Sequence, residues 1–148
     1  METLIRSWKL TTEQPVVSFL YQYLDKATAD HSIRVARSLF DDGYPADTID
    51  VGLFHDFLED AGQPSELLLS LGMPQHIYSH VVFLTHNKDE SYNYYIDKIR
   101  YGPEVSRVVK IYDIVDNLSR RDVDIKQDRL ERLKKKYRQA LFRLAFDG

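Results

Sequence analysis

Four ionisable side chains crowd one apolar stretch of this chain. Val51-Gly52-Leu53-Phe54-His55-Asp56-Phe57-Leu58-Glu59-Asp60 reads as part of a helix with apolar residues on several sides, so much of it is expected to be buried. At about 100° per residue, His55, Asp56, Glu59 and Asp60 fall within an arc of roughly 140° and make a single polar stripe. An ordinary solvent face has this pattern. So does a helix that holds carboxylates around a cation, because burying unpaired carboxylates costs several kcal/mol, which a bound ion or a hydrogen-bond network can offset. The chain has no cysteine, which leaves His, Asp and Glu as its strong metal ligands.

Two distant segments bear on the choice. His31 opens His31-Ser32-Ile33-Arg34-Val35-Ala36, and Asp113 lies within Val109-Lys110-Ile111-Tyr112-Asp113-Ile114-Val115-Asp116-Asn117-Leu118. Lys110, Asp113 and Asn117 share a helix face at three- and four-residue spacing, flanked by apolar neighbours. Taken singly, His31 fits a surface histidine at a helix end, and Asp113 fits a partner for Lys110. Together with the stripe they complete a set.

The elements that must position this set are punctuated by Pro, Ser and Gly. Pro15 opens a helix carrying Val16, Val17, Phe19, Leu20 and Tyr23, and a second runs from about Ala27 to Phe40 with Gly43 beyond its end. Pro45 and Asp47 lead into the helix of the stripe, expected to continue to Gly62. Pro64-Ser65-Glu66 begins a short helix ending at Gly72, Pro74 precedes a helix over Gln75 to Leu84, and Ser91 caps the next. Gly102-Pro103 breaks the chain before a helix from Glu104 to about Arg120, and the last runs from about Gln127 to Phe146. No stretch alternates with period two, so the expected class is all-α: one bundle of about seven or eight helices over residues 1–148.

At 148 residues, with 43% hydrophobic and 29% charged residues, the chain has the size and composition of one ordinary globular domain. Its net charge of −3 gives no general attraction to nucleic acid or an anionic membrane. A polyanionic substrate would therefore need a metal or a local cluster of Lys and Arg. Met1 to Leu10 lacks the apolar run of a signal peptide, and no segment approaches the ~18 apolar residues of a membrane span. A cytoplasmic protein is the expectation.

The order His, then His-Asp, then Asp, each within a helix, resembles the HD superfamily of metal-dependent phosphohydrolases. His55-Asp56-Phe57-Leu58-Glu59-Asp60 is similar to the His-Asp-x-x-Glu-Asp motif of the RelA/SpoT-homologue branch, which removes pyrophosphate from the alarmone (p)ppGpp. Lys110 to Asn117 is similar to that branch's Lys-Leu-Ala-Asp-x-x-x-Asn segment. Leu84-Thr85 followed by Glu90-Ser91-Tyr92-Asn93-Tyr94-Tyr95-Ile96 resembles a stretch of its small stand-alone members. The likeness spans roughly His31 to Asn117.

The resemblance implies an HD fold with His31, His55, Asp56 and Asp113 as ligands of one divalent ion, Mn²⁺ foremost, with Fe, Ni and Zn as alternatives. It implies Glu59 and Asp60 as the residues that orient and deprotonate the attacking water, and Asn117, Lys110 and Thr85 as substrate contacts. The implied partner is a small nucleotide, with a (p)ppGpp-type 3′-pyrophosphate as leading substrate. A 5′-nucleotidase, dNTP or NADPH phosphatase and a non-catalytic nucleotide sensor are the alternatives. One departure bears on the base: the alarmone hydrolases carry an Arg-Lys-Ser-Gly-type stretch before the first His, where this chain reads Gln22-Tyr23-Leu24-Asp25-Lys26-Ala27. His76 and His80, four residues apart, are read as ordinary helix residues and His86 as a surface residue. The basic run Arg129 to Arg138 is read as the solvated face of a packed helix, and the tyrosines at helical spacing as core.

Overall fold

Local signals start and stop the helices, and tertiary contacts add one further break. In a computed structural model describing residues 15–60, 66–119 and 127–145, α1 spans Pro15–Tyr23, α2 Lys26–Asp41, α3 Ala46–Phe54, α4 Phe57–Asp60 and α5 Glu66–Ser70. α6 spans Gln75–Leu84, α7 Tyr92–Arg100, α8 Glu104–Ser119 and α9 Gln127–Ala145. No strand occurs among the described residues, and the class is all-α. Among them, no helix is long and apolar enough to cross a membrane.

The caps follow the sequence. Asp25 precedes α2 and accepts a hydrogen bond from the Thr28 amide at 2.8 Å, and Ser91 does the same for the Tyr94 amide at the start of α7. α2 ends at a residue that needs positive φ. Gly43 sits at φ 84°, and the amide of Tyr44 returns to the Leu39 carbonyl at 3.1 Å.

Helices α2, α3 and α8 pack against one another as the centre of the molecule, and α9 covers α8 and α7. Val35, Ala36 and Leu39 of α2 are fully buried, as are Val51 and Leu53 of α3 and Val109 and Ile114 of α8. α2 and α3 approach closely because Gly52 has no side chain. A Cβ there would lie 2.6 Å from Leu39 Cδ1 and 3.4 Å from Val35 Cγ1. Gly52→Val is accordingly expected to destabilise the fold by about 1–3 kcal/mol through overpacking. At roughly 2–4 °C per kcal/mol for a chain of this size, a thermal melt should show it. An unchanged melting temperature would mean that Leu39 can swing aside freely.

The stripe helix is not continuous. It stops at Phe54, resumes at Phe57, and leaves His55 and Asp56 in a turn. The expected run to Gly62 is therefore corrected, and its end lies outside the described residues. Two contacts account for the break. The His55 side chain donates from Nδ1 to the Gly52 carbonyl at 2.6 Å, occupying an acceptor that a continuous helix would give to the Asp56 amide. Phe54 and Phe57, on either side of the turn, are both drawn into an aromatic cluster with Phe19 of α1. Their ring centroids lie 6.4 and 5.3 Å from that of Phe19. The aromatic pair faces α1, and His55 and Asp56 face α2 and α8 instead.

Candidate metal centre

Two helices and the turn bring the set together. His31 comes from the second turn of α2, His55 and Asp56 from the α3–α4 break, and Asp113 from the middle of α8. One ligand atom from each of these four residues lies within 4.8 Å of every other. His31 Nε2 is 2.7 Å from Asp113 Oδ1 and 3.6 Å from Asp56 Oδ2, and His55 Nε2 is 3.2 Å from both of those oxygens. The two imidazoles and Asp113 are almost wholly buried, while the Asp56 side chain keeps 21% of its surface exposed and marks the open side.

The electrostatics favour positive charge at this point. Burial alone would depress the His55 pKa, but the Asp56 and Asp113 carboxylates outweigh it and hold the imidazole well above its ordinary value. Burial pushes Asp113 upward, yet Lys110 and His55 bring it well below the usual carboxylate range. Lys110, which donates to Asp113 Oδ2 at 2.7 Å, is raised in turn, the carboxylate exceeding the effect of burial. Asp56 is lowered, with His55 overcoming its desolvation. Two carboxylates thus hold positive charge between the rings, and a divalent ion bound there would compete with protons for that place.

The residues fit a metal on an independent observation. A carbonyl can only accept, so the Gly52 contact puts a proton on His55 Nδ1 and leaves Nε2 to face the other three residues. His55 Nε2 is buried and makes no directed hydrogen bond, although two carboxylate oxygens stand at 3.2 Å. His31 is anchored in the same sense: its Nδ1 donates to Asp116 Oδ2 at 2.6 Å while Nε2 points to the shared centre. Two imidazole nitrogens and two carboxylates, with one side open, suit a borderline divalent ion that retains exchangeable positions.

The open side is a cavity of about 240 Å³, lined by His31, Asp56 and Asp113 at its floor and by Glu59, Lys110 and Asn117 at its sides. Glu59 Oε1 accepts from the backbone amide of His86, which ties the α4 carboxylate to the loop after α6. Asn117 donates to Asp113 Oδ1 at 3.3 Å. The described backbone carries Asp60 at the end of α4, but its side chain lies outside the described residues. Thr85 is not brought to this cavity: its hydroxyl donates to the Val81 carbonyl at 2.9 Å and closes the end of α6. His76 pairs with Asp47 at 2.8 Å and His80 with Ser106 Oγ at 3.0 Å. His86 is more than a surface residue, since its ring stacks on Tyr95 at 4.6 Å.

The cavity also has walls that periodicity did not single out. Tyr137 of α9 and Tyr92 of α7 line it, Lys136 lies 4.1 Å over the Tyr92 ring, and the Tyr92 hydroxyl is buried without a hydrogen-bond partner. Tyr137 falls on the same stripe as Leu133, Leu141 and Leu144, so spacing alone assigns it to core. A larger depression of about 650 Å³ between α7 and α9 holds none of the ligand-forming residues. Fold and site define an all-α domain with a preformed, partly open cluster of two histidines and two aspartates. Comparison with protein-family models and with curated proteins returned no match to this chain.

Proposed function

We propose that the chain is a metal-dependent phosphohydrolase of the HD kind acting on a nucleotide. The observation that carries the reading is the convergence of His31, His55, Asp56 and Asp113 within 4.8 Å. Both rings offer Nε2 to that point and are anchored through Nδ1. These four residues would hold the ion, with Mn²⁺ the leading candidate. When bound, it supplies a Lewis acid for a phosphoryl oxygen and lowers the pKa of water. Glu59, fixed at the cavity edge by the His86 amide, accepts the proton as water oxygen bonds to phosphorus and the bond to the leaving oxygen breaks. Asp60 shares this role in the family resemblance. Asn117 and Lys110 hold Asp113 and border the same space, and Tyr92 and Tyr137 form a further wall against which a base could pack.

A (p)ppGpp-type 3′-pyrophosphate is the leading substrate. One observation favours a second reading, in which the same chemistry acts on another nucleotide. At the start of α2, where alarmone hydrolases place Arg-Lys-Ser-Gly, the cavity wall here is Ala27 and Thr28, and Lys26 is bonded to Asp30 at 2.9 Å. This wall presents no guanidinium to a guanine.

The test is a panel of (p)ppGpp, dNTPs, NMPs and NADPH assayed with Mn²⁺, alongside metal analysis of the purified chain. About one ion per chain and release of phosphate or pyrophosphate from one class are expected. Metal without hydrolysis of any member would favour a nucleotide sensor, and a chain that takes up no metal would sink the proposal.

A further inference from the structure

A metal-binding histidine must present one nitrogen as a lone pair and hold a proton on the other, and something has to fix which is which. His55 uses the carbonyl of Gly52, an acceptor from its own broken helix. His31 has no such option, because it lies inside α2, where the neighbouring carbonyls serve the helix ladder. Its acceptor comes from 85 residues away.

We infer that Asp116, clamped by Arg34, is the positioning residue of this site, locking His31 in the tautomer and rotamer that turn Nε2 toward His55, Asp56 and Asp113. The inference rests on the metal reading above and goes beyond it to a residue outside the ligand set. Asp113 and Asp116 are three apart on α8 and grip one ring at both nitrogens, with Asp113 Oδ1 2.7 Å from Nε2 and Asp116 Oδ2 2.6 Å from Nδ1. Arg34 is three residues after His31 on α2. Its Nε donates to Asp116 Oδ1 at 3.0 Å and its Nη2 to Oδ2 at 3.0 Å, so both carboxylate oxygens are engaged in a fork. Side-chain exposure falls inward along this chain, from 42% for Arg34 through 15% for Asp116 to 5% for His31. The guanidinium keeps Asp116 an acceptor, and the carboxylate raises the basicity of the ring, which strengthens the Nε2 lone pair as a metal ligand. The pair α2–α8 therefore contributes two ligands and also the device that aims one of them.

The experiment measures Zn²⁺ and Mn²⁺ affinity of the full chain by chelator competition for wild type, Asp116→Ala, Asp116→Asn, Arg34→Gln and the Asp116→Ala/Arg34→Gln double variant. ¹⁵N-histidine NMR of the Zn²⁺-loaded wild type reads the tautomer. Asp116→Ala is expected to lose roughly 10–100-fold in affinity. Asp116→Asn and Arg34→Gln should lose less, and the Arg34 change should add nothing once Asp116 is gone. His31 should show a protonated Nδ1 and a metal-bound Nε2. If Asp116→Ala fails to fold, the Arg34→Gln affinity and the wild-type spectrum decide. Affinities of the Asp116 variants equal to wild type, additive Arg34 and Asp116 effects, or a metal-bound Nδ1 would each overturn the inference while leaving the metal reading intact. A wild-type chain that binds neither ion would overturn both.

Discussion

Asp113→Ala is expected to cost the metal-free protein about 3–5 kcal/mol of stability, as well as to remove tight metal uptake. The stability loss follows from what the carboxylate holds. Its Oδ2 is the counter-charge of Lys110 at 2.7 Å, and its Oδ1 lies between the two imidazoles at 2.7 and 3.2 Å. Truncation would strand the Lys110 ammonium beneath Tyr95, whose ring centroid is 5.0 Å away, with its principal anion gone. The uncompensated buried charge dominates, so Asp113→Leu combined with Lys110→Met should recover much of the stability and none of the metal binding. Wild type should show the same contribution as a pH effect. Because Asp113 is depressed in the folded chain, its stabilisation is complete above the ordinary carboxylate pKa. It disappears as pH falls through the lower folded value. Urea denaturation of the metal-free variants measures all three effects. A loss under about 1 kcal/mol for Asp113→Ala, the size of an average substitution, would show that Lys110 finds another partner or water.

Glu59→Gln should leave metal content unchanged and slow turnover by ~10²-fold or more. The substitution is narrow. Glutamine keeps the side-chain length and an amide oxygen able to accept the His86 N–H, so the tie between α4 and the loop after α6 survives. What disappears is the group able to take a proton from water at the edge of the cavity. With Glu59 as the base, the acid limb of the pH–rate profile should vanish along with the rate. Turnover equal to wild type at full metal occupancy would remove Glu59 from that role.

The helix boundaries set by short-range chemistry were legible in the residues. Pro74, Ser91 and Gly102-Pro103 act on the backbone within one turn, and α6, α7 and α8 start where they direct. The grouping of His31, His55, Asp56 and Asp113 was also legible as a resemblance. Histidines and carboxylates set among apolar residues require compensation, and few arrangements supply it.

The break at His55 could not be read this way. It arises because a side chain captures the Gly52 carbonyl and because Phe54 and Phe57 are pulled onto Phe19, contacts that exist only once α1 has docked. Tyr137, Lys136 and Asp116 were hidden for a related reason. A helical period places a residue on a face but does not say whether that face meets a packed neighbour or a cavity wall. Thr85 shows the converse, since its motif position says nothing of a hydroxyl that donates to the Val81 carbonyl at the end of its own helix. Residue types and local punctuation determined the all-α class, most helix boundaries and the candidate ligands. Only tertiary packing decided which atoms of those ligands face one another, because that depends on how α2, the α3–α4 turn and α8 meet in space.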